Sequence, residues 1–165
     1  MEDSRHSFSP GEHYLVAAGF IHSQGLVLVA RRALSKSIAP GQLHLPGGHV
    51  ETGEYPAAAL RREIAEEFGV QVQVMQPIDI FEYDENGHHT KGIFYAAALI
   101  GPRSALRLDP VDHSQILWVG RDALDELFPD KTNHNYVAAI KGFAYLRDPT
   151  TLTPEIATAK SAHGQ

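Results

Sequence analysis

The chain has 165 residues, 43% hydrophobic and 21% charged, which suits one compact domain with a real core and leaves little room for a second. Its formal charge of −6 argues against a protein that grips a nucleic-acid backbone unaided, because such binding needs a basic face. With no cysteine, disulfides, thiolate chemistry and cysteine zinc sites are excluded.

The opening residues, 1–12, are polar and lack the apolar core of a signal peptide, so they are expected to form a flexible N-terminal segment. No apolar run approaches the roughly 18 residues of a membrane span, and a cytoplasmic protein without membrane contact is expected. "HYLVAAGFIHSQGLVLVARR" reads as a hairpin over 14–32 with a Gln-Gly turn. Pro40-Gly41 and Pro46-Gly47-Gly48 then break the chain, leaving a short strand at 43–45. A helix is expected over Pro56–Phe68, with Pro56 at the first helical position and Gly69 just past the end. Tyr55 is a poor cap.

"VQVQVMQ" alternates like a strand, and "IDIFEY" and "GIFYAAALI" flank the polar turn "DENGHHTK" as a second hairpin. "QILWVG" is a further short strand. "RDALDELF" and "NHNYVAAIKGFAYL" carry helical spacing, the latter starting between Lys131 and Tyr136. This order predicts an α/β protein with a mixed sheet between helices, its domain over 13–146, and a loose tail over 147–165.

The helix at 56–68 poses a chemical question. Leu60, Ile64 and Phe68 form an apolar stripe with Ala57, so that face should pack on the sheet. Beside it Glu63, Glu66 and Glu67 fall at i, i+3 and i+4, where like charges oppose one another and call for a compensating cation. Oxygen donors gathered in this way suit a hard cation, Mg²⁺ or Mn²⁺, better than zinc. A merely solvated acidic face is the plainer alternative.

The wider pattern favours the cation. Gly48, Glu54, Arg62, Glu63, Ile64, Glu66, Glu67, Gly69 and Val70 fill every position of G-x5-E-x7-R-E-U-x-E-E-x-G-U, where U is apolar. From average composition, a chance match at a given start is on the order of 10⁻⁹ or less. On these residues the chain resembles the Nudix hydrolase family, carrying the whole Nudix box at 48–70. The order of strands and helices around the box is also similar to the family's α/β/α sandwich.

The resemblance implies hydrolysis of a nucleoside diphosphate linked to another group, with divalent metal ions between the acidic protein and its acidic substrate. It implies Glu63, Glu66 and Glu67 as metal ligands, with the Gly47 or Gly48 carbonyl, and Glu54 with Arg62 as the structural pair of the box. Water activation would fall to one of the box glutamates or to an acid in the loop before Trp118, where Asp109 and Asp112 stand. Asp112 is shorter than the usual Glu, so that loop would have to approach closely. Glu82 and Glu85 are further candidates, read first as exposed turn acids. Arg31 and Arg32 are candidate substrate-phosphate contacts.

His44, His49, His88 and His89 are read as solvent-facing or hydrogen-bonding. Phe81, Tyr83, Phe94 and Tyr95 are read as core or sheet-face residues. "LHLPGGHVETGE" looks most like the MutT-type branch, which acts on nucleoside triphosphates. Asp84-Glu85 and His88-His89 replace the Pro and Tyr usual in ADP-ribose and dinucleoside polyphosphate hydrolases. The expected partner is a small nucleotide, with no stable nucleic-acid binding and a homodimer left open. The alternatives are an ADP-ribose or nucleotide-sugar pyrophosphatase, or a nucleotide-sensing Nudix domain without catalysis.

Overall fold

The computed structural model describes residues 13–85 and 87–151, which places the reading of the first twelve residues and of most of the tail outside the described residues. Strands β1 (His13–Ser23) and β2 (Leu26–Arg32) form the predicted hairpin, with Gln24 and Gly25 at positive φ in its turn. They pair only at His22↔Val27 and Ser23↔Leu26 and then part. Strands β3 (Leu43–His44) and β4 (Gly47–His49) fill the opening, the first pairing with β2 and the second with β1.

The sequence reading of Pro46-Gly47-Gly48 as a plain break is thereby corrected. Gly47 and Gly48 are strand residues that must lie very close to β1. A Cβ on Gly47 would stand 2.2 Å from the Ala17 carbonyl oxygen, so only glycine fits.

Helix α1 (Pro56–Phe68) has the predicted bounds, with Pro at its start, Gly69 at φ 67° as its left-handed cap, and no side-chain cap from Tyr55. Residues 71–85, read from sequence as two strands, form one strand, β5 (Gln71–Glu85), whose register shifts on either side of Pro77. Proline cannot donate to the ladder, and the irregularity absorbs it on an edge strand. Strand β6 (His88–Ile100) returns antiparallel to β5 through a turn much tighter than "DENGHHTK" suggests, and runs parallel to β1 from His13↔His89 to His22↔Ala98. Strand β7 (His113–Val119) pairs with β2, completing a mixed seven-stranded sheet.

The expected helix at 121–128 is shorter, a 3-10 turn followed by α2 (Leu124–Leu127). Pro129 disfavours helical geometry at Phe128. Helix α3 (His134–Arg147) starts behind Asn133, whose side chain accepts from the Asn135 amide.

Alternation along β1 gives the sheet two apolar faces. Ala17 and Ile21 pack with Leu60, Ile64 and Phe68 of α1, while Ala18 and Phe20 pack with Ala138, Ala139 and Phe143 of α3. The result is the expected α/β/α sandwich. Among the described residues no helix is long and apolar enough to cross a membrane.

Candidate active site

The site forms where α1 passes over β4 and the segment leading into β7. Arg62 is its organising group. It grips Glu54 through two bonds, Nε to Oε1 at 3.0 Å and a terminal nitrogen to Oε2 at 2.9 Å, and donates to the His49 carbonyl at 2.9 Å. Arg62 thereby ties the 49–54 loop to α1. Its hydrogen bonds hold Glu54 below the usual carboxylate range, and Glu54 in turn raises Arg62 further.

The same guanidinium contacts Glu63 at 2.8 Å and Glu66 at 3.3 Å. Arg62 is therefore the cation that meets two of the three box glutamates, Glu63 and Glu66, in this structure. Among the described residues, no group of three His, Asp or Glu side chains is arranged to hold a metal ion as it stands. Glu66 is more than half exposed, Glu63 is buried against Gly48, and Glu67 faces the β7 side.

Gly48 is part of this geometry. A Cβ there would stand 2.2 Å from the Glu63 carboxyl carbon, so the missing side chain is the space that Glu63 occupies.

Glu67 is the most perturbed group. Its Oε2 is buried and has no hydrogen-bond partner among the described residues. Burial, followed by the charges of Glu63 and Asp112, pushes its pKa up to about 8, with Arg32 and Lys36 opposing the rise. An unpartnered buried carboxylate oxygen is costly unless something charged meets it.

Asp112 reaches this neighbourhood. Asp109 shapes its turn by accepting the Val111 amide at 2.9 Å on its side chain and the His113 amide at 2.9 Å on its carbonyl. Ala33 donates to the Asp112 carbonyl at 3.0 Å, and Lys36 pairs with Asp112 Oδ1 at 2.5 Å. Asp109 is thus a turn-former, and Asp112 is the acid presented beside Glu67.

Arg31 and Arg32 part ways. Arg32 lies on the α1 side, where its charge bears on Glu67, and its Nε holds the Ile38 carbonyl at 2.9 Å. Arg31 is spent on Gln115 and the Gly41 carbonyl. Glu82 is exposed and meets His89, while the Glu85 side chain lies outside the described residues. His88 meets the Tyr14 hydroxyl, and His89 pairs with Asp84, as hydrogen-bonding readings require. Phe94 and Tyr95 are buried, and Phe81 and Tyr83 stack on His134.

Two groups escaped the sequence reading, Lys36 and His113. His113 is 2% exposed and stacks on Phe68 with ring centroids 5.0 Å apart. Its Nε2 lies 3.1 Å from His44 Nε2 and 3.8 Å from Glu67 Oε2. Burial lowers His113 to about 4 and His44 to about 3, so both rings are neutral at pH 7. No motif marks His113; its only sequence signal is its place at the head of the strand that follows the acid loop.

A NUDIX domain family model matches residues 13–139. The chain belongs to the Nudix family. It is a Nudix pyrophosphohydrolase, MutT-like, that splits pyrophosphate bonds in nucleotide derivatives.

A Mycobacterium tuberculosis protein provisionally named 8-oxo-dGTP diphosphatase 2 is 38% identical over 107 residues, 64% of this chain and 72% of that protein. An Escherichia coli protein named Nucleoside triphosphatase NudI is 42% identical over 57 residues, 34% of this chain and 40% of that one. Among solved structures, the MutT NUDIX hydrolase of Burkholderia pseudomallei superposes with a TM-score of 0.66 at 25% identity, covering 79% of this chain and 98% of that one.

The family generally uses divalent metals. The residues present fit such a cation: the donor set is all oxygen, Gly48 leaves no bulk over Glu63, and Glu67 holds a buried oxygen without a partner.

Proposed function

We propose that this Nudix enzyme is a Mg²⁺-dependent pyrophosphohydrolase of nucleoside triphosphates, with Mn²⁺ as substitute and a cytoplasmic nucleotide pool as its substrate. The observation that carries the site assignment is the buried, unpartnered Glu67 carboxylate beside Glu63 and Asp112. The names of the mycobacterial and E. coli relatives support the substrate class.

Glu63, Glu66 and Glu67, with the Gly47 or Gly48 carbonyl, would hold the cation. When bound, it neutralises charge on the pyrophosphate and lowers the pKa of an attacking water. The chain's own groups do the rest. Arg62 fixes the 49–54 loop that follows Gly48 and offsets the negative charge of Glu63 and Glu66. Arg32 supplies positive charge on the α1 side where the phosphates arrive. Asp112 takes the proton as water adds to phosphorus and the phosphoanhydride P–O bond breaks. The Ala33 and Lys36 ties hold the Asp112 loop in place, with Lys36 engaging Oδ1, which supports this role.

The test is turnover of nucleoside triphosphates, ADP-ribose, nucleotide sugars and dinucleoside polyphosphates with Mg²⁺ and with Mn²⁺, products identified by mass. Metal-dependent release of a nucleoside monophosphate or diphosphate from triphosphates supports the assignment. Preferential cleavage of ADP-ribose or of a nucleotide sugar would overturn the substrate class, and no turnover of any compound would favour a nucleotide sensor.

A further inference from the structure

We infer that His113, whose tautomer is set by His44, is a positioning residue for Glu67, donating from Nε2 to the buried Oε2 once that carboxylate binds a metal ion. The inference rests on the assignment of Glu67 as a ligand. Its ground is the geometry of three consecutive contacts behind α1. His44 Nδ1 lies 3.1 Å from the Leu45 carbonyl oxygen, which can only accept, so Nδ1 carries the His44 proton. His44 Nε2 is then a bare acceptor, and the ring nitrogen 3.1 Å from it, His113 Nε2, must be the donor.

A second observation agrees independently. His113 Nδ1 is buried with no partner among the described residues. An orphaned N–H is costlier than an orphaned lone pair, so the single proton of this neutral ring belongs on Nε2. That N–H meets His44 Nε2 at 3.1 Å, and a second acceptor, Glu67 Oε2, lies just beyond hydrogen-bond range at 3.8 Å.

An ionised carboxylate is the stronger acceptor, by roughly a factor of two for charge-assisted bonds. A shift of under about 1 Å would close the Glu67 contact to hydrogen-bond range. Three contacts limit other movements of the ring. Phe68 stacks on it, the Asp109 carbonyl holds its backbone amide at 2.9 Å, and β2 pairs with its strand. His113 would thus orient the Glu67 carboxylate, as outer hydrogen bonds commonly orient ligating carboxylates.

The test is Mn²⁺ affinity by electron paramagnetic resonance, without substrate, on folded wild type, His113→Phe, His113→Gln, Glu67→Gln and the double variant Glu67→Gln/His113→Phe. Phe keeps the ring and its stacking without the donor, and Gln puts an amide N–H near the Nε2 position. We expect His113→Phe to weaken Mn²⁺ binding 10- to 100-fold, His113→Gln to recover most of it, and His113→Phe to add nothing in the Glu67→Gln background.

Unchanged affinity in His113→Phe, or an equal loss with and without Glu67, overturns the inference. If Glu67→Gln itself binds Mn²⁺ like wild type, the ligand assignment fails first and takes the inference with it. If His113→Phe does not fold, the comparison of His113→Gln with His113→Ala decides: affinity retained in Gln and lost in Ala supports the donor, and equal affinity refutes it.

Discussion

The neighbouring glycines of β4 should respond oppositely to one added methyl group. In Gly48→Ala the new Cβ would stand 2.2 Å from the Glu63 carboxyl carbon and 2.4 Å from its Oε2. Ordinary contact begins at 3.4 Å, so the carboxylate must retreat by about 1.2 Å, losing its 2.8 Å bond to Arg62 as it goes. The obstacle is the end of a flexible side chain, so the fold can yield there at modest cost. A misplacement of about 1 Å in a catalytic constellation can cost on the order of 10²-fold in rate. Turnover of Gly48→Ala should therefore fall by roughly 10²-fold, with melting lowered by only a few degrees.

In Gly47→Ala the Cβ meets backbone instead, 2.2 Å from the Ala17 carbonyl oxygen and 2.4 Å from the Ala18 Cα. Neither can move without opening β4 from β1. Overpacking typically costs about 1–3 kcal/mol and belongs at the upper end where backbone is the obstacle, and 3 kcal/mol is about 6–12 °C of melting temperature in a chain of this size. Calorimetry and steady-state kinetics on both variants decide the matter. Equal melting loss in the two, or full activity in Gly48→Ala, would refute the assignment of Gly48 to the Glu63 carboxylate.

Leu60→Ala should lower stability by about 2–5 kcal/mol, because Leu60 is fully buried under the sheet, while activity per folded molecule in dilute assay survives. Glu67→Gln should do the reverse at pH 7, abolishing most turnover and leaving the fold intact. Asp112→Asn should cut kcat by roughly 10²-fold with little change in KM, and a loss of only a few fold would return the base to Glu63 or Glu66. In EDTA, Glu67 adds a pH dependence of its own. Its folded pKa, raised to about 8, makes its contribution fully present below about 4.5 and lost as pH rises through 8. Glu67→Gln should thus gain on wild type in thermal melts between pH 5 and 9, and parallel melting curves would show that the carboxyl is not buried as described.

What was legible in the sequence was whatever is encoded locally. The bounds of α1 follow from Pro56, from Gly69 and from the spacing of Leu60, Ile64 and Phe68, all of which act within a few turns of one helix. The Glu54–Arg62 pair was legible because the motif places an acid and a base eight residues apart. The strand at Gly47 and Gly48 was hidden because its partner lies thirty residues earlier and because glycine, chosen for close approach, looks like a turn signal. The β5 strand was split in the reading because Pro77 signals a break, while its cross-strand partners in β6 carry the ladder past it.

The site shows the same division. Glu63, Glu66 and Glu67 are visible in the motif, but Arg62 contacts the first two while Asp112 and His113 neighbour the third, and both of the latter come from a loop and strand more than forty residues away. Local spacing thus decides which carboxylates stand together on α1. The tertiary neighbours decide which of them is buried and unpartnered, and that difference makes Glu67, rather than the more exposed Glu66, the residue on which activity should depend most steeply.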